Sequence, residues 1–296
     1  MNHKHALLLA EKAIQNLNNH EFDILNISRP SNVEYAISLG KFISKLSPMM
    51  SNLIEFKVVE SLNRIQELQL FGKWKRQDPG FPDAIFQGDI TPVPGIEIKT
   101  WFPLATEITA RFRETQFHFQ NDETKLLLIS WIPQYIIWGK PKVLDICLVS
   151  ALTVAKKRDN HYFNPPYYLI VEPEDTSLRS SNLQQTNVNG YRLQENNPKR
   201  IREAELFIQQ LGSFAKTYNP APDFQQKVIR PLLSQYNYRL DTNFAKIDRI
   251  QMTEIELFKK ATLDNKYLGK SIHEWSKLLS RLSREDAQRI LELDKE

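Results

Sequence analysis

Hydrophobic residues recur at helical spacing near both ends of the chain and at strand-like spacing in the middle. Apolar positions every three or four residues predict helices over 4–25, 33–46 and 53–70. Between 73 and 171 the pattern changes to short apolar or alternating runs, which are typical of strands. Helical spacing returns after residue 199. This order predicts an α/β fold with a sheet flanked by helices.

Four segments of the middle region have a distinct pattern. Residues 96–101 alternate apolar and polar side chains, which predicts a half-buried strand. The run 126–132 is apolar except for one serine, which predicts a central strand buried on both faces. A similar run follows at 142–149. The intervening segment 106–119 is predicted to form a helix.

The polar segment 172–197 lacks a regular apolar period and is rich in Asn, Gln, Ser and Arg. It is interpreted as a long loop, which in a compact domain is usually functional or disordered. These changes of pattern predict three regions: a helical part at 1–72, an α/β core at 73–198 containing this loop, and a C-terminal helical region at 199–296. The last would supply contacts to DNA or to a second subunit.

Composition excludes several classes of protein. The 296 residues are 41% hydrophobic and 25% charged, which is typical of a globular chain and argues against general disorder. One cysteine rules out a disulfide framework and a cysteine zinc cluster. The longest apolar stretch, 126–138, is interrupted and shorter than the roughly 20 residues of a membrane span. We therefore expect no membrane association and a cytoplasmic location. The net charge of +4 neither selects nor excludes nucleic acid.

Three charged residues carry the candidate chemistry. Side chains alternate along a strand, so Glu97 and Lys99 share one face while Ile96 and Ile98 point into the core. Asp83 opens the preceding apolar segment, and a hairpin between the two would bring it near Glu97. Two close carboxylates repel each other unless a cation lies between them. Mg²⁺ suits such a pair, because it binds one or two carboxylates and takes its other oxygens from water and phosphate. Lys99 would then polarise the attacking water and stabilise charge on the phosphate.

The sequence Pro82-Asp83 followed by Glu97-Ile98-Lys99 resembles the motif of the PD-(D/E)XK nuclease superfamily, and the chain is similar to type II restriction endonucleases. The resemblance implies a restriction-endonuclease-like mixed sheet. It also implies that Asp83 and Glu97 bind Mg²⁺ and that Lys99 serves the water. A solvated hairpin with an ordinary Glu–Lys pair would show the same triplet. The flanking apolar runs and the proline before Asp83 favour the nuclease.

A further acidic residue is expected from the upstream helix, as in many relatives. At about 100° per residue, Glu55 falls at the edge of the stripe formed by Ile54, Val58, Leu62 and Ile65, whereas Glu60 falls nearly opposite. A carboxylate on a buried face needs a cation or a donor. Glu55 is therefore the candidate auxiliary metal ligand, and the alternative is an edge residue whose carboxylate reaches water.

Candidate DNA contacts lie in two segments. Arg111 and Arg113 are placed to contact the scissile backbone, and Gln116 resembles a glutamine beside the active site in some branches of the superfamily. A solvated helix face is the alternative for all three. The polar loop combines Arg with Asn and Gln, which pair with guanine and adenine respectively; its candidates are Arg179, Asn182, Gln184, Gln185, Asn187, Asn189 and Arg192.

Three functions compete at this stage. The first is a sequence-specific, Mg²⁺-dependent double-strand DNA endonuclease, expected to act as a homodimer because a twofold protein matches a palindromic site. The second is a repair or mismatch nickase of the same superfamily. The third is a non-catalytic DNA-binding protein with a helix-turn-helix near 253–262 and 271–280.

Overall fold

The computed structural model describes residues 1–78, 80–105, 107–114, 116–163, 169–172, 190–210, 235, 237–241 and 245–295. The chain forms two compact units. The first contains 1–110, 114–154 and 252–296, and the second contains 111–113 and 155–251. The predicted boundaries at 72 and 198 do not coincide with these units. Residues 252–296, expected to belong to a separate helical region, pack in the same unit as the N-terminal helices.

A mixed five-stranded sheet forms the centre of the first unit. Its order is β1-β2-β3-β4-β5, and every neighbouring pair is antiparallel except β3 and β4, which run parallel. The strands are β1 (Gly72–Arg76), β2 (Ala84–Gly88), β3 (Gly95–Trp101), β4 (Thr124–Pro133) and β5 (Pro141–Ser150). The predicted α/β class and the buried character of the fourth strand are confirmed, since β4 is buried at every position except Lys125.

Helices cover both faces of this sheet. The first unit contains α1 (His3–Gln15), α2 (Val33–Phe42), α3 (Ser47–Leu62) and α4 (Gln66–Gln69), and near the C terminus α7 (Thr253–Asp264), α8 (Ile272–Ser280) and α9 (Arg284–Glu292). Helix α3 packs on β1 and β3, and Ser51 hydrogen bonds to Thr100 across that contact. On the other face α7 packs on β5, and Thr262 bonds to Ser130 of β4 at 3.0 Å.

The third helix begins earlier than predicted. It starts at Ser47 rather than Leu53, and Pro48 occupies its first turn, where a missing N–H costs nothing. Ser51 and Asn52, which precede the predicted start, lie inside the helix and donate to carbonyls of the first turn. The helix ends at Leu62. Ile54 and Val58 are fully buried, as the predicted apolar stripe requires.

The second unit contains a small sheet, of which the sequence pattern predicted only the first strand, near the end of the strand-like region at 171. Strand β6 (Leu169–Glu172) runs parallel to β7 (Gly190–Gln194), which pairs antiparallel with β8 (Asn237–Asp241). Helices α5 (Ala151–Phe163) and α6 (Pro198–Gln210) accompany it. The loop predicted over 172–197 is thus wrong at its C-terminal end. Its alternation of Tyr191 and Leu193 with polar residues is short and surrounded by polar sequence, which hid the strand.

The predicted helix over 106–119 is wrong. In the described part of this segment the only helical turn is a 3₁₀ turn at Gln116–Phe119. Ile108, Phe112 and Phe119 are all buried, and their spacing imitates the period of a helix. Phe112 instead donates its backbone N–H to the carbonyl of Ala245 within the second unit.

The connection between α7 and α8 differs from that of a helix-turn-helix. A two-stranded hairpin of β9 (Lys266–Tyr267) and β10 (Lys270–Ser271) joins the helices, whereas a helix-turn-helix has a single short turn. Helix α8 begins with a capping box between Ser271 and Glu274. Among the residues that the structure describes, no helix combines the length and apolar character required to cross a bilayer.

Candidate active site

The hairpin of β2 and β3 places the three predicted catalytic residues together. Asp83 directly precedes β2, and the pairing of Ala84 with Ile96 puts Asp83 opposite Glu97. Strand alternation then places Lys99 on the same face as Glu97, while Ile96 and Ile98 are buried towards the core. Two features predicted from the sequence, the hairpin and the face of each side chain, are therefore confirmed.

Each carboxylate is held by the backbone of the opposite strand. The N–H of Asp83 donates to Oε2 of Glu97 at 3.1 Å, and the N–H of Ile98 donates to Oδ2 of Asp83 at 2.7 Å. Hydrogen bonds from backbone donors to charged oxygens are stronger than those between neutral groups. The pair is therefore fixed by the register of the hairpin rather than by mobile side chains.

The Lys99 ammonium bridges the two acids. Its Nζ lies 3.0 Å from Oδ2 of Asp83 and contacts Oε1 of Glu97. The alternation predicts a half-buried strand, but the polar face is also covered at Glu97, which is only 7% exposed. Asp83 and Lys99 retain about a fifth of their side-chain exposure, 18% and 20%. The cluster thus lies in a recess that opens on the side of Asp83 and Lys99.

The electrostatics of the cluster follow from this burial. Burial raises the pKa of Glu97, the neighbouring Asp83 adds to the shift, and Lys99 opposes it, leaving the pKa at about 7. For Lys99, burial lowers the pKa, but the Glu97 and Asp83 carboxylates outweigh it and hold the pKa above its ordinary value. Lys99 therefore stays an ammonium near neutral pH.

The donor set fits a magnesium ion. No group of three or more His, Cys, Asp or Glu side chains arranged to hold a metal occurs in the described part of the chain. Mg²⁺ does not need one, because two carboxylates suffice when water and phosphate supply the other oxygens. Within the described residues Oδ1 of Asp83 accepts no hydrogen bond, so this oxygen is available to a cation. Asp83 and Glu97 are the two residues that would hold it.

Glu55, the predicted auxiliary metal ligand, is paired with an arginine of the chain. Its Oε2 accepts from Arg76 at 3.1 Å from Nε and 2.9 Å from Nη2, so an arginine of the chain satisfies the carboxylate. Both side chains are only 13% exposed. Burial, followed by the nearby Asp83, raises the pKa of Glu55, which places the residue within electrostatic range of the site. The sequence-based choice between the two glutamates is correct in geometry, since Glu60 is exposed.

Arg76 is the residue beside the site that sequence reasoning missed. It also donates to Asn52 at 2.9 Å and to Asp78 at 2.8 Å, and it stacks on Phe56 at 4.6 Å from the ring centroid. Strand β1 was not resolved as a separate element in the sequence pattern. Its pairing with β2, which brings Arg76 opposite Ala84, depends on contacts that no local period reports.

Gly95 is a second missed residue. A Cβ at this position would lie 2.5 Å from Cγ of Pro82, closer than atoms in contact allow. The ring of Pro82 therefore packs directly on the backbone at the start of β3. Because Asp83 follows Pro82, this close approach sets the position of the aspartate. The glycine in Gly95-Ile-Glu97 is the sequence signal for it.

The predicted DNA contacts are only partly described. Gln116 lies in the 3₁₀ turn whose Phe119 packs on Phe81, two residues before Asp83, with ring centroids 5.6 Å apart. Arg111 and Arg113 belong to the second unit, where Arg111 forms a β-bridge with Lys246 rather than lying on a helix. Arg192 lies in β7, and its side chain is not described. The remaining loop residues lie outside the described residues: Arg179, Asn182, Gln184, Gln185, Asn187 and Asn189.

No protein-family model, no curated protein and no solved structure matches this chain. The functional argument therefore rests on the geometry of the hairpin.

Proposed function

We propose that the chain is a Mg²⁺-dependent DNA endonuclease of the PD-(D/E)XK type, and more specifically a type II restriction endonuclease that hydrolyses both strands of its target. One observation carries the proposal. Asp83, Glu97 and Lys99 converge through the register of a single hairpin, with the lysine bridging the two carboxylates. The mixed sheet covered by helices is compatible with the restriction-endonuclease-like fold that the motif implies.

The chemistry divides among three side chains. A bound Mg²⁺ supplies Lewis acidity and a water of lowered pKa. Asp83 and Glu97 would hold the ion, and backbone hydrogen bonds fix the two carboxylates relative to the strands. Lys99 remains protonated because both carboxylates raise its pKa. Its ammonium orients the water and stabilises the negative charge that develops on the phosphate.

Cleavage of both strands requires two such sites. A homodimer with a twofold axis presents two copies to a palindromic target. Cutting of supercoiled plasmid to the linear form reports this arrangement, whereas accumulation of nicked circles reports a monomeric nickase. The molecular mass of the protein bound to its cognate duplex then shows whether it acts as a dimer or as a monomer.

The test is a digest of a sequenced phage genome with purified protein in Mg²⁺ and in EDTA. Asp83→Ala and Lys99→Ala are expected to lose discrete fragments while they still retard genomic DNA in EDTA. Glu60→Ala removes an exposed carboxylate from helix α3 and is expected to cut as the unaltered protein does. Normal cutting by Asp83→Ala and Lys99→Ala, or the absence of Mg²⁺-dependent fragments, would contradict the proposal.

A further inference from the structure

The face of the sheet that carries the acid pair continues outward onto β1. Lys75 pairs with Ile85, which pairs with Gly95, and Lys73 pairs with Gln87. Side chains in register across strands share a face, so Lys73 and Lys75 point to the same side as Glu97 and Lys99. Lys73, Lys75 and Gln87 are exposed. The recess at Asp83 therefore opens beside an accessible strip that carries two cations.

These two lysines differ from the other cations near the site. Lys99 and Arg76 are engaged by carboxylates. In the described residues, neither Lys73 nor Lys75 forms an ion pair or a side-chain hydrogen bond. Two uncompensated ammonium groups on one face, next to a carboxylate pair that attracts a divalent cation, form a surface suited to a polyanion whose charge is spread along its length.

We propose that Lys73 and Lys75 bind backbone phosphates of duplex DNA to one side of the scissile bond. The inference rests on the proposed function, and it adds the path that the substrate takes away from the site. A DNA strand leaving Asp83 passes from the start of β2 onto β1, where the two lysines neutralise phosphates about two positions apart.

Strand spacing gives the scale of this contact. Neighbouring strands lie about 4.8 Å apart, so β1 is roughly 10 Å from β3. Along β1 the two Cα atoms lie roughly 7 Å apart, since each residue rises about 3.4 Å. One strand of B-DNA carries a phosphate every 3.4 Å of helix axis. Lys75 and Lys73 lie two and four residues along β1 from the position opposite Glu97, so their Cα atoms are roughly 12 and 17 Å from it. The lysines therefore meet phosphates roughly three and five positions from the scissile bond.

A competing explanation is protection of the sheet edge. Strand β1 is the terminal strand of the five-stranded sheet. Lysines on such edges prevent pairing with other chains. This role predicts aggregation when the lysines are removed and no change in DNA binding, so the two explanations separate experimentally.

The experiment measures binding of a short fluorescein-labelled DNA duplex by anisotropy, in EDTA, over a range of salt concentrations. The variant is Lys73→Gln/Lys75→Gln. The control is Lys41→Gln/Lys277→Gln, which removes the same charge from exposed positions on helices α2 and α8. Loss of two phosphate contacts is expected to reduce the slope of log K against log salt by about 1.8 and to weaken binding roughly 10- to 100-fold near 0.1 M salt. The control keeps the slope of the unaltered protein.

The outcomes are distinct. An unchanged slope in Lys73→Gln/Lys75→Gln, with or without increased light scattering, overturns the phosphate path but leaves the nuclease proposal intact if the unaltered protein still cuts. An equal loss of slope in the control also overturns the path, because it shows an effect of net charge alone. If the unaltered protein neither binds duplex nor cuts, the proposed function itself fails.

Discussion

Two clusters, each made of acidic side chains and one cationic side chain, lie on opposite faces of the sheet formed by β1, β2 and β3. They differ in the number and kind of groups that the cation binds. Asp83 and Glu97 share the single ammonium of Lys99 on one face. On the other, Arg76 spreads its planar donors over Glu55, Asn52 and Asp78. A compact ammonium is a replaceable point charge, whereas a guanidinium in a fixed fork is not. Under the proposed function, a divalent ion would share the first cluster with Lys99, whereas the second holds β1 against α3.

The largest expected loss of unfolding free energy comes from breaking the second cluster. Arg76→Ala leaves Glu55 buried without its partner, and removal of one member of a buried pair costs about 3 kcal/mol of unfolding free energy. Urea denaturation measures this loss. Lys57→Ala serves as the control on α3, the helix that carries Glu55. It removes a surface ion pair with Glu60 and is expected to cost less than about 1 kcal/mol of unfolding free energy. Equal, small losses in both variants would contradict a structural role for Arg76.

The second prediction concerns pH and the acid pair. Burial raises the pKa of Glu97 from 4.5 to about 7, so the folded chain holds this proton more tightly than the unfolded chain does. Protonation therefore favours the folded state. The contribution of Glu97 to the free energy of unfolding is most favourable below pH 4.5 and is lost as the pH rises towards 7. The total change is of order 3 kcal/mol.

Urea denaturation without divalent ions, compared with Glu97→Gln, checks this sign. Relative to Glu97→Gln, the unaltered protein is expected to lose stability between pH 4.5 and 7. Lys57 and Arg64 lower the pKa of the exposed Glu60 carboxyl, so Glu60→Gln is expected to keep the profile of the unaltered protein between pH 4.5 and 7. If the unaltered protein instead gains stability relative to Glu97→Gln as the pH rises, Glu97 is stabilised as the anion.

A smaller effect is expected at the start of β3. Gly95→Ala forces Pro82 to move because a Cβ would lie 2.5 Å from its ring. Overpacking of this kind costs about 1–3 kcal/mol, and displacement of Asp83 is expected to reduce cleavage about 100-fold. Thermal unfolding and plasmid cleavage measure the two consequences. Full activity in Gly95→Ala would mean that Pro82 does not set the position of the aspartate.

The smallest expected effect tests whether the ammonium of Lys99, unlike the guanidinium of Arg76, competes with a divalent ion. Lys99→Met removes the ammonium that competes with a divalent ion for Asp83 and Glu97. At about 4 Å in water, one unit charge is worth about 1 kcal/mol, so the affinity for Mn²⁺ is expected to rise roughly fivefold while cleavage is lost. Calorimetry supplies the affinity. Weaker Mn²⁺ binding in this variant would show that Lys99 supports the metal site instead of sharing it.

The sequence predicted the local part of this site well. Alternation along 96–101 placed Glu97 and Lys99 on one face, and helical geometry separated the largely buried Glu55 from exposed Glu60. These inferences succeeded because each depends on a period within one element. The partner of Glu55 was not predicted, because Arg76 reaches it only through the pairing of β1 with β2 and the packing of α3.

Tertiary context also explains the errors. The buried residues at 108, 112 and 119 imitate a helix, yet Phe112 bonds to Ala245, far away in the sequence. The contact of Pro82 with Gly95 is equally invisible to local pattern, because it requires the hairpin to be closed. Composition changes located the C-terminal helices but could not show that residues 252–296 return to the first unit.

Binding of Mn²⁺, measured by calorimetry in the absence of DNA, tests the central claim most directly. We expect one class of site in the unaltered protein, its loss in Asp83→Asn and in Glu97→Gln, and its retention in Glu55→Gln. Equal Mn²⁺ binding by all four proteins, or binding lost only in Glu55→Gln, would contradict a cation site formed by the hairpin.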